Sequence, residues 1–147
     1  MQIRPAVPAE AKAVDALVQR AYGHYVDRIG RRPGPMDVDY EQKVAQGRVS
    51  VTDAAGEIVG LIVLIQEPDH LLVENVAVAP ERQGEGIGRT LLAFAEDAAR
   101  EAGTPTLRLY THAAMTENLA FYPTLGYRET ERRTDNGFER VFFEKHL

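Results

Sequence analysis

Val76-Ala77-Val78-Ala79-Pro80-Glu81-Arg82-Gln83-Gly84-Glu85-Gly86-Ile87-Gly88-Arg89 is the stretch on which the architecture turns. It begins as a strand-like run, turns at Ala79-Pro80, passes three glycines at alternate positions and opens a helical pattern over residues 87–102. In that helix Ile87, Leu91, Leu92, Ala95 and Ala99 share one face, and Gly103 follows as the residue that ends it. The first amides of a helix have no internal partner and sit at the positive end of its dipole. Glycines beside them remove side-chain bulk and let the backbone approach a phosphate. A pyrophosphate-bearing ligand is the natural occupant. The bland alternative is a tight strand-to-helix turn, although one glycine suffices for a turn. A Walker loop does not fit, because Gly88 is followed by Arg89-Thr90 instead of Lys-Ser/Thr. A dinucleotide fingerprint starting at Gly84 needs a glycine where Arg89 stands.

The pattern before this turn sets a mixed architecture. Residues 2–4 are a short extended segment, and from Pro8 the positions Val14, Leu17, Val18, Ala21, Tyr22 and Tyr25 recur at three- and four-residue steps, which predicts a helix. Residues 30–35 break it, and Asp37 or Asp39 caps a shorter helix that Gly47 stops. The period then becomes two: residues 48–52 and 58–65 read as a hairpin, and residues 70–78 as a further strand. Beyond the long helix come a strand at Thr106–His112, a short helix at residues 115–125, and strands at 127–133 and 139–144 around Asn136-Gly137, a hairpin signal. The order β-α-α-β-β-β-α-β-α-β-β predicts an α/β (α+β) protein. It has a mixed, mostly antiparallel central sheet of about seven strands and about four helices.

Composition narrows the function. At 147 residues the chain is expected to form one domain, residues 1–147. No cysteine is present, which excludes disulfides, thiolate metal sites and thiol catalysis. Lys plus Arg is 17 against 22 Asp plus Glu, a net charge of −5, which argues against a general nucleic-acid binder. The apolar, uncharged run at residues 58–66 is far short of the roughly 20 residues a membrane span needs. Met1-Gln2-Ile3-Arg4-Pro5 has no apolar leader, so a mature, cytoplasmic protein is expected. No His pair stands at ligand spacing, so no metal is expected.

Gln83-x-x-Gly86-x-Gly88, preceded by Val76-x-Val78-x-Pro80, resembles the acetyl-CoA signature of the Gcn5-related N-acetyltransferase (GNAT) superfamily, whose core has the element order above. The resemblance implies that acetyl-CoA is the cosubstrate and that Gln83, Gly84, Gly86, Ile87, Gly88 and Arg89 hold its pyrophosphate. It also implies that the Val76 and Val78 backbone pairs with the pantetheine arm. Arg82 and Arg89 stand where cations meet phosphates, or as solvated arginines. Residues 116–127 resemble the family's later motif, with Phe121-Tyr122 and then Leu125-Gly126-Tyr127. By that resemblance Tyr122 protonates the leaving thiolate and Asn118 contacts pantetheine. Here Asn118 lies one turn before Tyr122 where the family commonly has two, and Pro123 follows the tyrosine directly.

The amine nucleophile must lose a proton, and the thioester oxygen that gains charge suits a backbone N–H, for which Val76 is the choice. Glu74, on the same strand face as Val76 and Val78, is the candidate base. His24, His70, His112 or water are its rivals. In this family the segment between the first two helices lines the acceptor site, which here draws in Tyr22, Tyr25 and Arg28. Helical spacing alone also accounts for both tyrosines. Family members often dimerise through C-terminal strands, and Val141-Phe142-Phe143 is apolar enough to permit it or to form a core strand. The expected function is transfer of an acetyl group to a primary amine of a small molecule or peptide, by direct attack in a ternary complex. The alternatives are a non-catalytic acyl-CoA-binding regulator and an interaction domain whose glycines only shape a turn.

Overall fold

The structure, a computed structural model, describes residues Met1–Leu147. The chain forms two compact units, Met1–Leu64 with Asn75–Phe94, and Ile65–Glu74 with Ala95–Leu147. Its strands are β1 (Ile3–Pro5), β2 (Val49–Ala54), β3 (Glu57–Gln66), β4 (Leu71–Val78), β5 (Thr106–His112), β6 (Arg128–Asp135) and β7 (Phe138–His146). They are hydrogen-bonded in the order β1-β2-β3-β4-β5-β7-β6. The pairs β1–β2, β2–β3, β5–β7 and β6–β7 are antiparallel, and β4–β5 is parallel. This is the mixed, mostly antiparallel α/β sheet that the element order implies.

Five α-helices accompany the sheet: α1 (Ala11–Tyr22), α2 (Tyr25–Ile29), α3 (Tyr40–Ala45), α4 (Ile87–Glu101) and α5 (Thr116–Thr124). The extra one arises at Gly23. The apolar period runs on to Tyr25, but the helix is interrupted at Gly23-His24 and resumes as α2. A Cβ on Gly23 would lie 2.9 Å from the Gln19 carbonyl oxygen, so the chain turns there at a residue without one. Asp39, not Asp37, caps α3: its carboxylate accepts the Gln42 amide at 3.1 Å, while Asp37 pairs with Arg32.

In the first unit β2 and β3 form a hairpin through Ala55-Gly56, both at positive φ (53° and 80°), the backbone of a tight two-residue turn. Val49, Val51, Leu61, Ile62 and Val63 carry the core of this sheet. The start of α4 packs so closely on β3 that a Cβ on Gly60 would lie 2.8 Å from Ile87 Cγ2 and 3.3 Å from Leu91 Cδ1. Gly60 is therefore the point on which the glycine-turn helix rests.

At the sheet's β1 end, Arg4 bonds the Glu10 carboxylate at 2.7 and 2.9 Å and Asp53 at 2.9 and 3.1 Å. The Arg4 bonds and the Val7 amide hold the Glu10 carboxyl down at about 2, from an ordinary value of 4.5. A depressed carboxyl adds stability that is complete above its unfolded value and is lost as pH falls through the folded one. Glu10→Gln should therefore lower the melting temperature at neutral pH and flatten the loss of stability between pH 4.5 and about 2. Thermal melts across that range check it, and parallel curves for both proteins would contradict it.

In the second unit β5, β7 and β6 make an antiparallel sheet, with β6 outermost and almost wholly exposed. Asn136 and Gly137, at φ 52° and 79°, turn β6 into β7. Leu107, Leu109, Val141 and Phe143 form the core, so the apolar C-terminal run is largely interior. The Tyr127 hydroxyl is buried with no hydrogen-bond partner, and that burial pushes its phenol well above the usual range. No helix is long and apolar enough to cross a membrane.

Candidate active site

In the first unit the site is built from β4, the glycine turn and the N-terminus of α4. Burial alternates strictly along β4: Leu71, Val73, Asn75 and Ala77 face the core, while Leu72, Glu74, Val76 and Val78 share the other, half-buried face. The Ala79 amide donates to the Val59 carbonyl of β3 at 2.8 Å. Alternation turns the amides and carbonyls of Val78 and Val76 toward the opposite edge. In this unit that edge is the outer one. The parallel ladder with β5 joins Leu71, Leu72 and Val73 to Leu107, Arg108 and Leu109, all inside the other unit. Side chains reach the outer edge in two places: Tyr22 Oη donates to the Val76 carbonyl at 3.1 Å, and Gln83 Nε2 to the Val78 carbonyl at 3.5 Å.

After a short 3-10 turn at Pro80–Arg82, Gly84 and Gly86 both sit at φ +86°, a left-handed conformation that only glycine adopts without strain. A Cβ at either would meet nothing within 4 Å, so the turn is open on that side. The first helical hydrogen bond of α4 runs from the Thr90 amide to the Gly86 carbonyl at 3.1 Å. The amides of Ile87, Gly88 and Arg89 precede it, and helix geometry gives them no internal acceptor. Gly88 is the second residue of α4, inside the helix expected over residues 87–102. Its value there is a bare backbone in the first turn. The Ile87 side chain is buried in the core, which leaves its amide as the group it can offer a ligand. Arg82 contacts Glu85 at 3.4 Å, and Arg89 is exposed. Donors and open glycines at the positive end of a 15-residue helix fit a pyrophosphate.

Asn75 and Tyr40 are polar groups of this unit that pattern reading missed. Tyr22 Oη lies 2.6 Å from Asn75 Oδ1, Asn75 Nδ2 lies 3.0 Å from Tyr40 Oη, and Tyr40 donates to the Pro35 carbonyl at 2.6 Å. Asn75 occupies a core position of an alternating strand, and an amide there was the available signal. Tyr25 is buried, with its ring 3.9 Å from the His24 ring, and the Arg28 guanidinium lies 4.9 Å over it.

In the second unit the junction of β5 and α5 is tied by its own side chains. Asn118 Nδ2 donates to Thr111 Oγ1 at 3.0 Å, which leaves its Oδ1 turned as the acceptor. The Ala114 amide donates to His112 Nδ1 at 2.9 Å. In the neutral ring the proton therefore sits on Nε2, which makes His112 a donor and a poor candidate base; burial holds its pKa below the usual value. His70 is likewise engaged, by Asp69 at 2.7 Å. Tyr122 is buried against Tyr127 and Phe143, with ring centroids 5.6 Å away in each case. Pro123 sits in the last turn of α5, which ends one residue later at Thr124.

Known proteins resemble the chain in sequence and in fold. An aminoalkylphosphonate N-acetyltransferase of Salmonella typhimurium is 34% identical over 85 residues, covering 53% of this chain and 54% of that protein. A mycothiol acetyltransferase of Jonesia denitrificans is 34% identical over 89 residues, covering 59% of this chain and 28% of that protein. The chain thus spans about half or less of the length of these relatives. The crystal structure of a PaiA N-acetyltransferase from Thermoplasma acidophilum in complex with coenzyme A superposes with a TM-score of 0.84 at 18% identity, covering 99% of this chain and 98% of that one, a likeness of fold. Residues 14–127, which include β4, the glycine turn and the Tyr122 helix, match the acetyltransferase (GNAT) family model, and the chain belongs to that family.

Proposed function

We propose that this protein is an acetyl-CoA-dependent N-acetyltransferase of one catalytic domain, residues 1–147, transferring acetyl to a primary amine by direct attack in a ternary complex. The observation that carries the reading is the pair Gly84 and Gly86, both at φ +86° with open space where a Cβ would stand, at the N-terminus of α4. The amides of Gly84, Gly86, Ile87, Gly88 and Arg89, with Gln83 and the guanidinium of Arg82, would hold the pyrophosphate. The Val76 and Val78 edge of β4 would take the pantetheine arm as a strand partner, with Asn118 Oδ1 as a further acceptor for its amides. Acetyl-CoA, when bound, supplies an activated acyl thioester.

The chain's own residues handle charge and protons. The Val76 amide, on the outer edge of β4, would donate to the thioester oxygen that gains negative charge. Tyr122 Oη holds the proton that a leaving thiolate requires. Glu74, on the same strand face as Val76, is the residue to accept the amine proton, directly or through water. Tyr22, Tyr25 and Arg28 belong to the segment that meets the acceptor, and Tyr25 would do so from the core. The likeness to the Salmonella aminoalkylphosphonate N-acetyltransferase supports an amine acceptor. A cytoplasmic setting suits a cysteine-free chain. A homodimer would use β6, the outermost strand, rather than the largely buried Val141 and Phe143.

The experiment is thiol release from acetyl-CoA across a panel of primary amines, beside calorimetric titration with acetyl-CoA. Amine-dependent release together with binding supports the enzyme. Binding without release by any amine favours the acyl-CoA-binding regulator, and absence of binding leaves the glycines as a turn.

A further inference from the structure

The polar chain Tyr22–Asn75–Tyr40–Pro35 has a direction fixed by its last member. The Pro35 carbonyl can only accept, so Tyr40 donates its proton to it at 2.6 Å. The Tyr40 oxygen then accepts from Asn75, which sets the amide with Nδ2 toward Tyr40 at 3.0 Å and Oδ1 toward Tyr22. Facing an acceptor at 2.6 Å, Tyr22 must donate, and its one proton is aimed between Asn75 Oδ1 and the Val76 carbonyl at 3.1 Å. Asn75 is 5% exposed and Tyr40 3% exposed, so the directions are set in a site from which water is largely excluded. The two ends of the chain are functionally different. One is the outer edge of β4 at Val76; the other is the Pro33–Asp37 stretch before α3, where Arg32 and Gln19 also bond the Met36 carbonyl.

We propose that Asn75 is a positioning residue that ties the β4 edge at Val76 to the Pro35 loop, so that thioester arm and acceptor wall are held in one register. The inference rests on the acetyltransferase reading above. Asn75 touches neither substrate. It acts through Tyr22, whose hydroxyl fixes the Val76 carbonyl, and through Tyr40, whose hydroxyl fixes the Pro35 carbonyl. The glycine cradle lies outside the relay, so pyrophosphate binding should be nearly indifferent to it while turnover is sensitive.

The decisive variant is Asn75→Asp, which keeps the shape and exchanges the Nδ2 donor for an acceptor. The titratable groups bonded to position 75 are the Tyr22 hydroxyl from α1 and the Tyr40 hydroxyl from α3. With an ionised carboxylate both hydroxyls are drawn inward and Tyr40 must leave Pro35. With a protonated one the O–H donates to Tyr40 again. The expected result is an acetyl-CoA Kd within about threefold of the parent and a kcat at least about tenfold lower at pH 8. The deficit should shrink as pH falls toward 6, whereas Asn75→Leu shows a deficit without that recovery. Should Asn75→Asp fail to fold, Tyr22→Phe and Tyr40→Phe each remove one hydroxyl, and each is expected to lower kcat with the Kd preserved. An active parent with variants of unchanged kcat and flat relative pH profiles overturns the relay alone. A parent that neither binds acetyl-CoA nor releases thiol overturns the acetyltransferase reading, and the relay with it.

Discussion

Gly86→Val is expected to weaken acetyl-CoA binding by about a hundredfold or more, with the protein still folded. The reason is conformational before it is steric. Gly86 sits at φ +86°, where a β-branched residue is a genuine outlier, so the turn must rearrange and the amides that follow it move. A Cβ there meets no protein atom within 4 Å, so no clash within the protein adds to that strain. Hydrogen bonds to a charged group are each worth about 1.5–3 kcal/mol, so misplacing one or two accounts for the expected loss. Gly47 provides the control. It also has positive φ, +70°, and an open surrounding, but it closes α3 instead of opening α4. Gly47→Val should cost comparable stability and leave affinity within about threefold. Equal loss of affinity in both variants would assign the effect to general destabilisation.

Tyr122→Phe is expected to lower kcat by about a hundredfold, in the range typical of a lost general acid, while acetyl-CoA affinity stays within about threefold. The ring of Tyr122 packs against Phe121, Tyr127 and Phe143, and phenylalanine preserves all of those contacts. The variant therefore isolates the hydroxyl. Rapid-quench measurement of the acetyl-transfer step separates chemistry from product release. An unchanged transfer step would give the thiolate its proton from solvent or another residue and reduce Tyr122 to core packing beside the unpartnered Tyr127 hydroxyl.

The sequence disclosed elements wherever local chemistry and tertiary packing agree. Thr106–His112 forms a strand with the expected bounds, and Asn136-Gly137 makes the expected tight turn because both residues tolerate positive φ. The glycine turn was legible for the same reason: Gly84 and Gly86 take a conformation that other residues avoid. The break at Gly23 was hidden by an apolar period that continues through it, since α1 and α2 bury Ala21 and Tyr25 in turn. Strand order was not legible either: β7 lies between β5 and β6, a long-range pairing that no local period records. Tyr22 was expected on the acceptor side by resemblance, but its bonds to Asn75 and Val76 join positions more than fifty residues apart. In the β5–α5 junction the spacing showed Asn118 and Tyr122 on one helix. It did not show that Thr111 holds the Asn118 amide.

The central claim, that main-chain donors of the glycine turn receive the diphosphate of coenzyme A, is tested most directly by following backbone amide resonances during titration with coenzyme A. The account predicts large, saturable shifts at the amides of residues 83–89, with smaller ones along Val76 and Val78 of β4. Saturable binding that leaves residues 83–89 unmoved and shifts another part of the chain would contradict it.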